Sequence, residues 1–326
     1  SRFALIASLF ALGLSLLPLL QFPGAATLAE TEFSQKIDSA PIPNALRSQF
    51  RSSQLNLIDV FRGISIPKVR RDLNIEFARP DGVALKMNVY RPVKTGKNPA
   101  IVAIYGGAWR SGDPSANQQF NEYIAAQGYT VLAIDYRHSP QYKFPAHLED
   151  IETALRFIQQ HADEYEVDLN RIAMMGRSAG GHLAMLAAYG SSILPIRAVV
   201  NYYSPVDLTA GYNDPPVPDP INSREVLRSF LGGTPQERPE LYRQASPYEQ
   251  IKPSLPPTLL IYGKRDYIVQ SKFGRALYDK LNAKGNTAVF IEIPWAEHAF
   301  DAVFNGISNQ LALYYTERFL ASLLFR

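Results

Sequence analysis

The sequence predicts a three-layer α/β sandwich: a mostly parallel central sheet that opens with an antiparallel hairpin and carries a cap or lid insertion. Three observations lead there. Short apolar runs recur along the chain, helical patterns separate them, and one proline-rich interval breaks the rhythm. Runs apolar at every position are what strands covered on both faces look like. Alternation of strand and helix implies right-handed crossovers that place helices on both sides of one sheet. With 326 residues, 46% apolar and 19% charged, the chain can bury one large core or two modest ones. Disorder, collagen and coiled coil are excluded.

Taken in order, residues 3–22 read FALIASLFALGLSLLPLLQF, with Arg2 ahead of them and no further charge until Glu30. A secretory signal peptide ends its apolar region in small residues, and Gly24-Ala25-Ala26 or Thr27-Leu28-Ala29 would place cleavage after Ala26 or Ala29. An uncleaved anchor is the rival, since about 18 apolar residues can span a bilayer; Pro18 and the missing second positive flank weigh against it. A buried core helix would need partners on every side. Residues 1–29 are therefore expected to export the chain, to the periplasm or the medium, or to hold it on a membrane. Residues 30–68 form a helical extension, in which Leu46, Phe50, Leu57, Ile58 and Phe61 fit one face of a helix packed on the body. Residues 69–326 form the main domain.

Within it, residues 69–77 and 83–90 are β-type runs joined by Arg79-Pro80-Asp81-Gly82, whose proline and Asp-Gly supply hairpin turn chemistry. The parallel strands are expected at 100–105, 129–136, 171–175, 198–203, 258–262 and 288–293. Helices are expected at 117–127, 147–161, 180–189, 269–284 and 306–324. The interval 205–257 contains Asp214-Pro215-Pro216-Val217-Pro218-Asp219-Pro220, which cannot join a ladder. With a short helix at 223–230, it reads as a lid over the carboxyl edge of the sheet.

Composition narrows the chemistry. Lys plus Arg number 33 against 30 Asp plus Glu, a balance of +3, and the body holds no basic run longer than a pair, so no nucleic-acid partner is expected. Without cysteine there is no disulfide, thiolate metal site or cysteine nucleophile. The reactive group must come from elsewhere.

Gly176-Arg177-Ser178-Ala179-Gly180 follows a strand and opens a helix, the setting of a strained nucleophile elbow. Small residues around the serine let strand and helix approach closely enough for that turn. A serine hydroxyl is a poor nucleophile, so it needs a base within hydrogen-bond reach and a carboxylate to fix the base's tautomer. Of five histidines, His298 follows the last strand and would stand at the carboxyl edge. His182 lies on the helix behind Ser178, His161 ends a helix, His138 could line the pocket and His147 reads as packing. Asp266, just after the strand at 258–262, is the expected orienter, with Asp207 as rival; Asp135, Glu149 and Asp150 are expected to cap helices or pair with Arg137. Acyl transfer also needs preorganised N–H donors for the developing oxyanion. Tyr105-Gly106-Gly107-Ala108-Trp109 supplies the loop, with Gly107, Ala108 and the N–H of Ala179 as donors. Trp109 walls the substrate pocket or simply packs.

With these pieces assembled, the chain resembles the α/β-hydrolase superfamily. It is similar to serine esterases and lipases with a His-Gly-Gly-type oxyanion loop, of the hormone-sensitive-lipase-like and feruloyl- or prenylcysteine-methylesterase-like kinds. The likeness spans residues 69–324 and rests on YGGAW, the DYR at Asp135 to Arg137, GRSAGG, PPTLLIYGKRD and EHAF, all in family order. Tyr105 departs from the pattern, standing where the family usually has histidine; backbone donors survive that change. The resemblance implies two-step acyl transfer on a small-molecule carboxylic ester, with neither metal nor organic cofactor. Alternatives are an arylformamidase-like amide hydrolase, a serine peptidase, and a non-catalytic binding protein on a hydrolase scaffold. Oligomeric state and acyl length are not encoded in any motif.

Overall fold

The computed structural model describes residues 2–38 and 42–325. Its strands are β1 (Arg70–Ala78), β2 (Leu85–Arg91), β3 (Asn98–Ile104), β4 (Thr130–Ile134), β5 (Val167–Arg177), β6 (Ile196–Tyr202), β7 (Thr258–Gly263) and β8 (Ala288–Ile293). They form one sheet in the order β1-β2-β4-β3-β5-β6-β7-β8. β1 and β2 pair antiparallel as the hairpin expected, β2 runs antiparallel to β4, and every later pair is parallel. Each residue of β4 and β7 is buried, which is why those strands read as unbroken apolar runs.

Helices complete the sandwich: α1 (Arg2–Lys36), α2 (Asn44–Arg47), α3 (Leu57–Arg62), α4 (Gln118–Ala126), α5 (Ala146–Gln160), α6 (Ala179–Gly190), α7 (Leu208–Asn213), α8 (Ser223–Leu231), α9 (Pro239–Gln244), α10 (Ser271–Ala283) and α11 (Ile307–Leu324). α4 and α11 share one face, where the Tyr123 hydroxyl donates to buried Glu317; α6 packs on the other, against β3, β5, β6 and α5. The chain leaves β3 for β4 on one side and returns to β5 on the other. That reversal opens a crevice at the carboxyl ends of β3 and β5, where such sheets bind ligands.

Two features mark the N-terminal region. First, α1 runs unbroken past Ala26 and Ala29, and Phe22, Ala25, Ala26, Ala29 and Phe33 are buried. Their spacing makes one helical stripe, laid against β8 and α11: Phe22 meets Trp295 at 5.9 Å between ring centroids and Phe33 meets Tyr315 at 5.2 Å. Among the described residues no helix is long and apolar enough to cross a membrane. Second, the single helical face predicted between residues 42 and 67 is split. Leu46 and Phe50 are buried with Ala321 of α11, whereas Leu57, Ile58 and Phe61 are exposed, Phe61 by 87%. The break is imposed from α11. Gln310 of α11 accepts from the Asn56 N–H at 2.7 Å and donates to the Asn56 carbonyl at 3.2 Å, holding that backbone extended, while the Asn56 side chain caps α3 by accepting from the Ile58 N–H.

The interval 205–257 folds into α7, α8, α9 and a 3-10 turn at Pro247–Gln250. α8 turns Val226, Leu227, Phe230 and Leu231 inward and Arg224, Glu225 and Arg228 outward, so an amphipathic helix seats the insertion on the body.

Candidate active site

β5 ends at Arg177 and α6 begins at Ala179, leaving Ser178 alone at the turn with φ 50° and ψ −124°. A non-glycine residue there costs on the order of 1–3 kcal/mol and persists only when its surroundings hold it. They do: the Ser178 N–H donates to the Tyr202 carbonyl at 3.0 Å and its carbonyl accepts from the His182 N–H at 3.1 Å. A Cβ on Gly176 would lie 2.3 Å from the Gly180 carbonyl carbon, so the close approach of strand and helix requires glycine. The half-buried serine is thereby presented at the carboxyl end of β5.

Its partner arrives from the loop after β8. The Ser178 Oγ–H donates to His298 Nε2 at 3.0 Å, and His298 Nδ1–H donates to Asp266 Oδ2 at 2.7 Å. Asp266, with a fully buried side chain, uses its other oxygen to accept the N–H groups of Ile268 and Val269 at 2.7 and 2.8 Å. This pattern fixes the carboxylate's rotamer and leaves Oδ2 for the imidazole. Asp207 is engaged elsewhere, capping α7 through the Ala210 N–H at 2.9 Å.

The loop after β3 faces the same point. Gly107, Ala108 and Trp109 have φ of 129°, 53° and 58°, and Arg110 N–H closes the turn on the Gly107 carbonyl at 2.9 Å. Among the described residues nothing accepts from the N–H of Gly107 or Ala108, and Ala179, first in α6, has a donor outside the helix ladder. Behind the loop, Tyr105 does the anchoring. Its hydroxyl donates to Asp135 and lies 2.9 Å from His138 Nε2, while its carbonyl accepts from the Tyr136 hydroxyl at 3.2 Å. Burial pushes the Tyr105 phenol and the Asp135 carboxyl up and the His138 imidazole down. His138 thus supports the loop from outside the cavity, contrary to its expected place in the pocket wall, and Asp135 serves Tyr105 rather than Arg137.

Trp109 borders the cavity but is only 3% exposed, stacked on Phe230 of α8 at 4.2 Å. Its indole N–H donates to His182 Nδ1 at 3.2 Å, so His182 must carry its proton on Nε2, which donates to the Ala245 carbonyl at 2.6 Å. Burial holds that imidazole neutral, with its pKa pushed down to about 4. His147, near Phe230, is likewise a buried packing residue, its pKa lowered by burial to about 3. His161 stays at the end of α5, its Nδ1 2.9 Å from Glu164. Asp150 and Glu149 pair with Arg137, as expected.

Ser178, His298, Gly107, Ala108 and Ala179 open onto one cavity of about 740 Å³. Its lining is mostly apolar, with Leu208, Pro216, Ile221, Val226 and Leu227 from the insertion and Ile268, Val269 and Phe273 after β7, interspersed with Asp207, Asp214, Ser223 and Gln270. No group of three or more metal-ligating side chains gathers among the described residues. A buried cluster that no motif announced lies beneath the site: Asp301 accepts from both Arg177 and Tyr203. Its only trace in the sequence is a charge beside the nucleophile and another three residues after the histidine.

The BD-FAE family model matches residues 87–281, well over half of the chain. This chain belongs to the BD-FAE family. Its fold is that of the α/β-hydrolase esterases. Esterase LipC of Mycobacterium tuberculosis is 32% identical over 238 residues, covering 68% of this chain and 58% of its own length. A probable isoprenylcysteine alpha-carbonyl methylesterase of Arabidopsis thaliana, ICMEL1, is 29% identical over 63% of this chain and 46% of its own. The chain spans about half the length of the curated relatives it matches. Among solved structures, Thermogutta terrifontis esterase 2 phosphonylated by sarin superposes with a TM-score of 0.63 at 27% identity, over 78% of this chain and 93% of that one.

Proposed function

We propose that this BD-FAE member hydrolyses carboxylic esters through an acyl-enzyme on Ser178. The observation that carries the reading is the unbroken hydrogen-bond line from Ser178 through His298 to Asp266, opening onto a cavity beside unpaired N–H groups. As Ser178 Oγ attacks the carbonyl carbon, its proton passes to His298 Nε2, and Asp266 stabilises the imidazolium. The N–H groups of Gly107, Ala108 and Ala179 receive the oxyanion. His298 returns the proton to the departing alcohol; water then attacks the acyl carbon by the same route and frees the acid.

The esterase-named relatives support ester over amide as the substrate bond. A cavity of about 740 Å³ with a mostly apolar lining supports an ester that carries an apolar body. The apolar run at residues 3–22 supports export or membrane attachment as the setting. Intact-mass measurement of the protein from membrane and soluble fractions tests that setting.

The central test is a p-nitrophenyl ester chain-length series with Ser178→Ala as control. That variant should lose on the order of 10³-fold or more in kcat while keeping its fold, and a fluorophosphonate should label Ser178 in the parent alone. Unchanged turnover in Ser178→Ala refutes the proposal.

A further inference from the structure

The buried cluster beneath the site joins the elements that carry the nucleophile and the base. Arg177 is the residue before Ser178; Asp301 is the third residue after His298; Tyr203 stands at the end of β6 between them. Asp301 Oδ2 accepts from Arg177 Nε–H and Oδ1 accepts from the Tyr203 hydroxyl, so both carboxylate oxygens are engaged. Both charged side chains are 5% exposed, and the guanidinium lies 4.4 Å from the Phe120 ring centroid and 5.2 Å from that of Tyr202. Tyr203 also sets its ring against His298, centroids 4.7 Å apart at 63°.

On the histidine loop, Asp266 holds the imidazole alone. Nothing in that bond fixes the backbone of the loop that delivers it, and Ala299, next to His298, sits at φ 54°, a conformation that an alanine keeps only under constraint. Stability alone does not account for the buried pair, because removing two charges from water offsets much of their attraction. What the pair provides is direction. It ties the histidine loop to the residue covalently joined to the nucleophile, so that Ser178 and His298 are held through one short, closed circuit.

We infer that Arg177, Asp301 and Tyr203 are positioning residues that clamp the His298 loop to the nucleophile elbow and thereby set the Ser178–His298 contact. The inference rests on the serine-hydrolase reading above. A loosened base misplaced by about 1 Å costs about 10²-fold in rate; Arg177 and Tyr203 border the cavity, but their polar groups are turned away to buried Asp301, so the loss falls on kcat.

The experiment measures kcat and KM for p-nitrophenyl butyrate in Tyr203→Phe and in the paired variant Arg177→Met/Asp301→Leu, with thermal unfolding to confirm the fold. Each is also made in a His298→Ala background. The paired variant should lose about 10²-fold in kcat with KM within about threefold, and Tyr203→Phe on the order of tenfold. In the His298→Ala background the same changes should leave the residual rate unaltered, since a clamp has nothing left to position. A full kcat in the folded paired variant, or an undiminished loss without His298, overturns the clamp. Tyr203→Phe with unchanged kcat overturns it even where the paired variant fails to fold. Hydrolysis surviving in Ser178→Ala would instead defeat the hydrolase reading, independently of these outcomes.

Discussion

Replacing Asp266 with asparagine separates the role of its charge from that of its shape. In the protein, Oδ1 is occupied by the N–H groups of Ile268 and Val269, so an asparagine oxygen would stay there. The amide nitrogen would then take the place of Oδ2, 2.7 Å from His298 Nδ1. Two donors cannot face each other, so Nδ1 must lose its proton and Nε2 must gain it. An Nε2–H cannot accept from Ser178, whose Oγ lies 3.0 Å away. The expected fall in kcat is about 10⁴-fold, as when the tautomer is reversed in an otherwise intact triad, equivalent to about 5 kcal/mol of barrier. Stopped or steady-state hydrolysis of p-nitrophenyl butyrate reads the loss, and circular dichroism with a thermal melt checks that the fold persists. Asp207→Asn, at a residue that caps α7 and borders the cavity without touching His298, should leave kcat within about threefold, because a single helix-cap change is a matter of about 1 kcal/mol of stability. A folded Asp266→Asn enzyme within tenfold of the parent, or a larger loss from Asp207→Asn, refutes the assignment.

Further outcomes follow from burial. His182 has a folded pKa of about 4 against an ordinary 6.5, so the folded state refuses a proton that the unfolded chain accepts. Its contribution is complete above pH 6.5 and disappears as pH falls toward 4, about 2 kcal/mol being lost by about pH 5. Raised carboxyls at Asp135, Asp150 and Glu317 act in the opposite sense, so the measurement is the urea stability of His182→Gln against the parent; their difference should shrink by about 2 kcal/mol between about pH 7.5 and about pH 5, and a constant difference counts against a neutral buried His182. In α1, Phe33→Ala should cost about 3–5 kcal/mol in denaturant unfolding because a ring 3% exposed is removed from against Tyr315. Leu28→Ala, at a position 72% exposed, should change stability by no more than about 0.5 kcal/mol; equal effects would show that α1 is not part of the core.

The sheet was legible because β3, β4 and β7 are buried on both faces, and burial leaves a run of apolar letters. The elbow was legible because a strained serine needs small neighbours, which the GRSAGG segment displays. His298 and Asp266 could be placed from their positions just after strands, since carboxyl ends converge at one edge. The α1 stripe was hidden because Pro23 and Gly24 read as a helix break and the alanines of the stripe read as a small-residue cleavage site. Leu57, Ile58 and Phe61 matched a helical face, yet Gln310 takes the preceding backbone, a contact 254 residues distant. Arg177 and Asp301 lie 124 residues apart and follow no local pattern.

Tyr105 also has a bearing on working range. An imidazole in its place would titrate close to neutrality, whereas the buried phenol keeps its proton well into alkali. Its acceptor Asp135, whose carboxyl burial raises, and its neighbour His138, whose imidazole burial lowers, are joined to it by hydrogen bonds. The phenol's own bond beneath the Gly107–Ala108 turn therefore persists as conditions become basic, where deprotonation of a less buried tyrosine would break it.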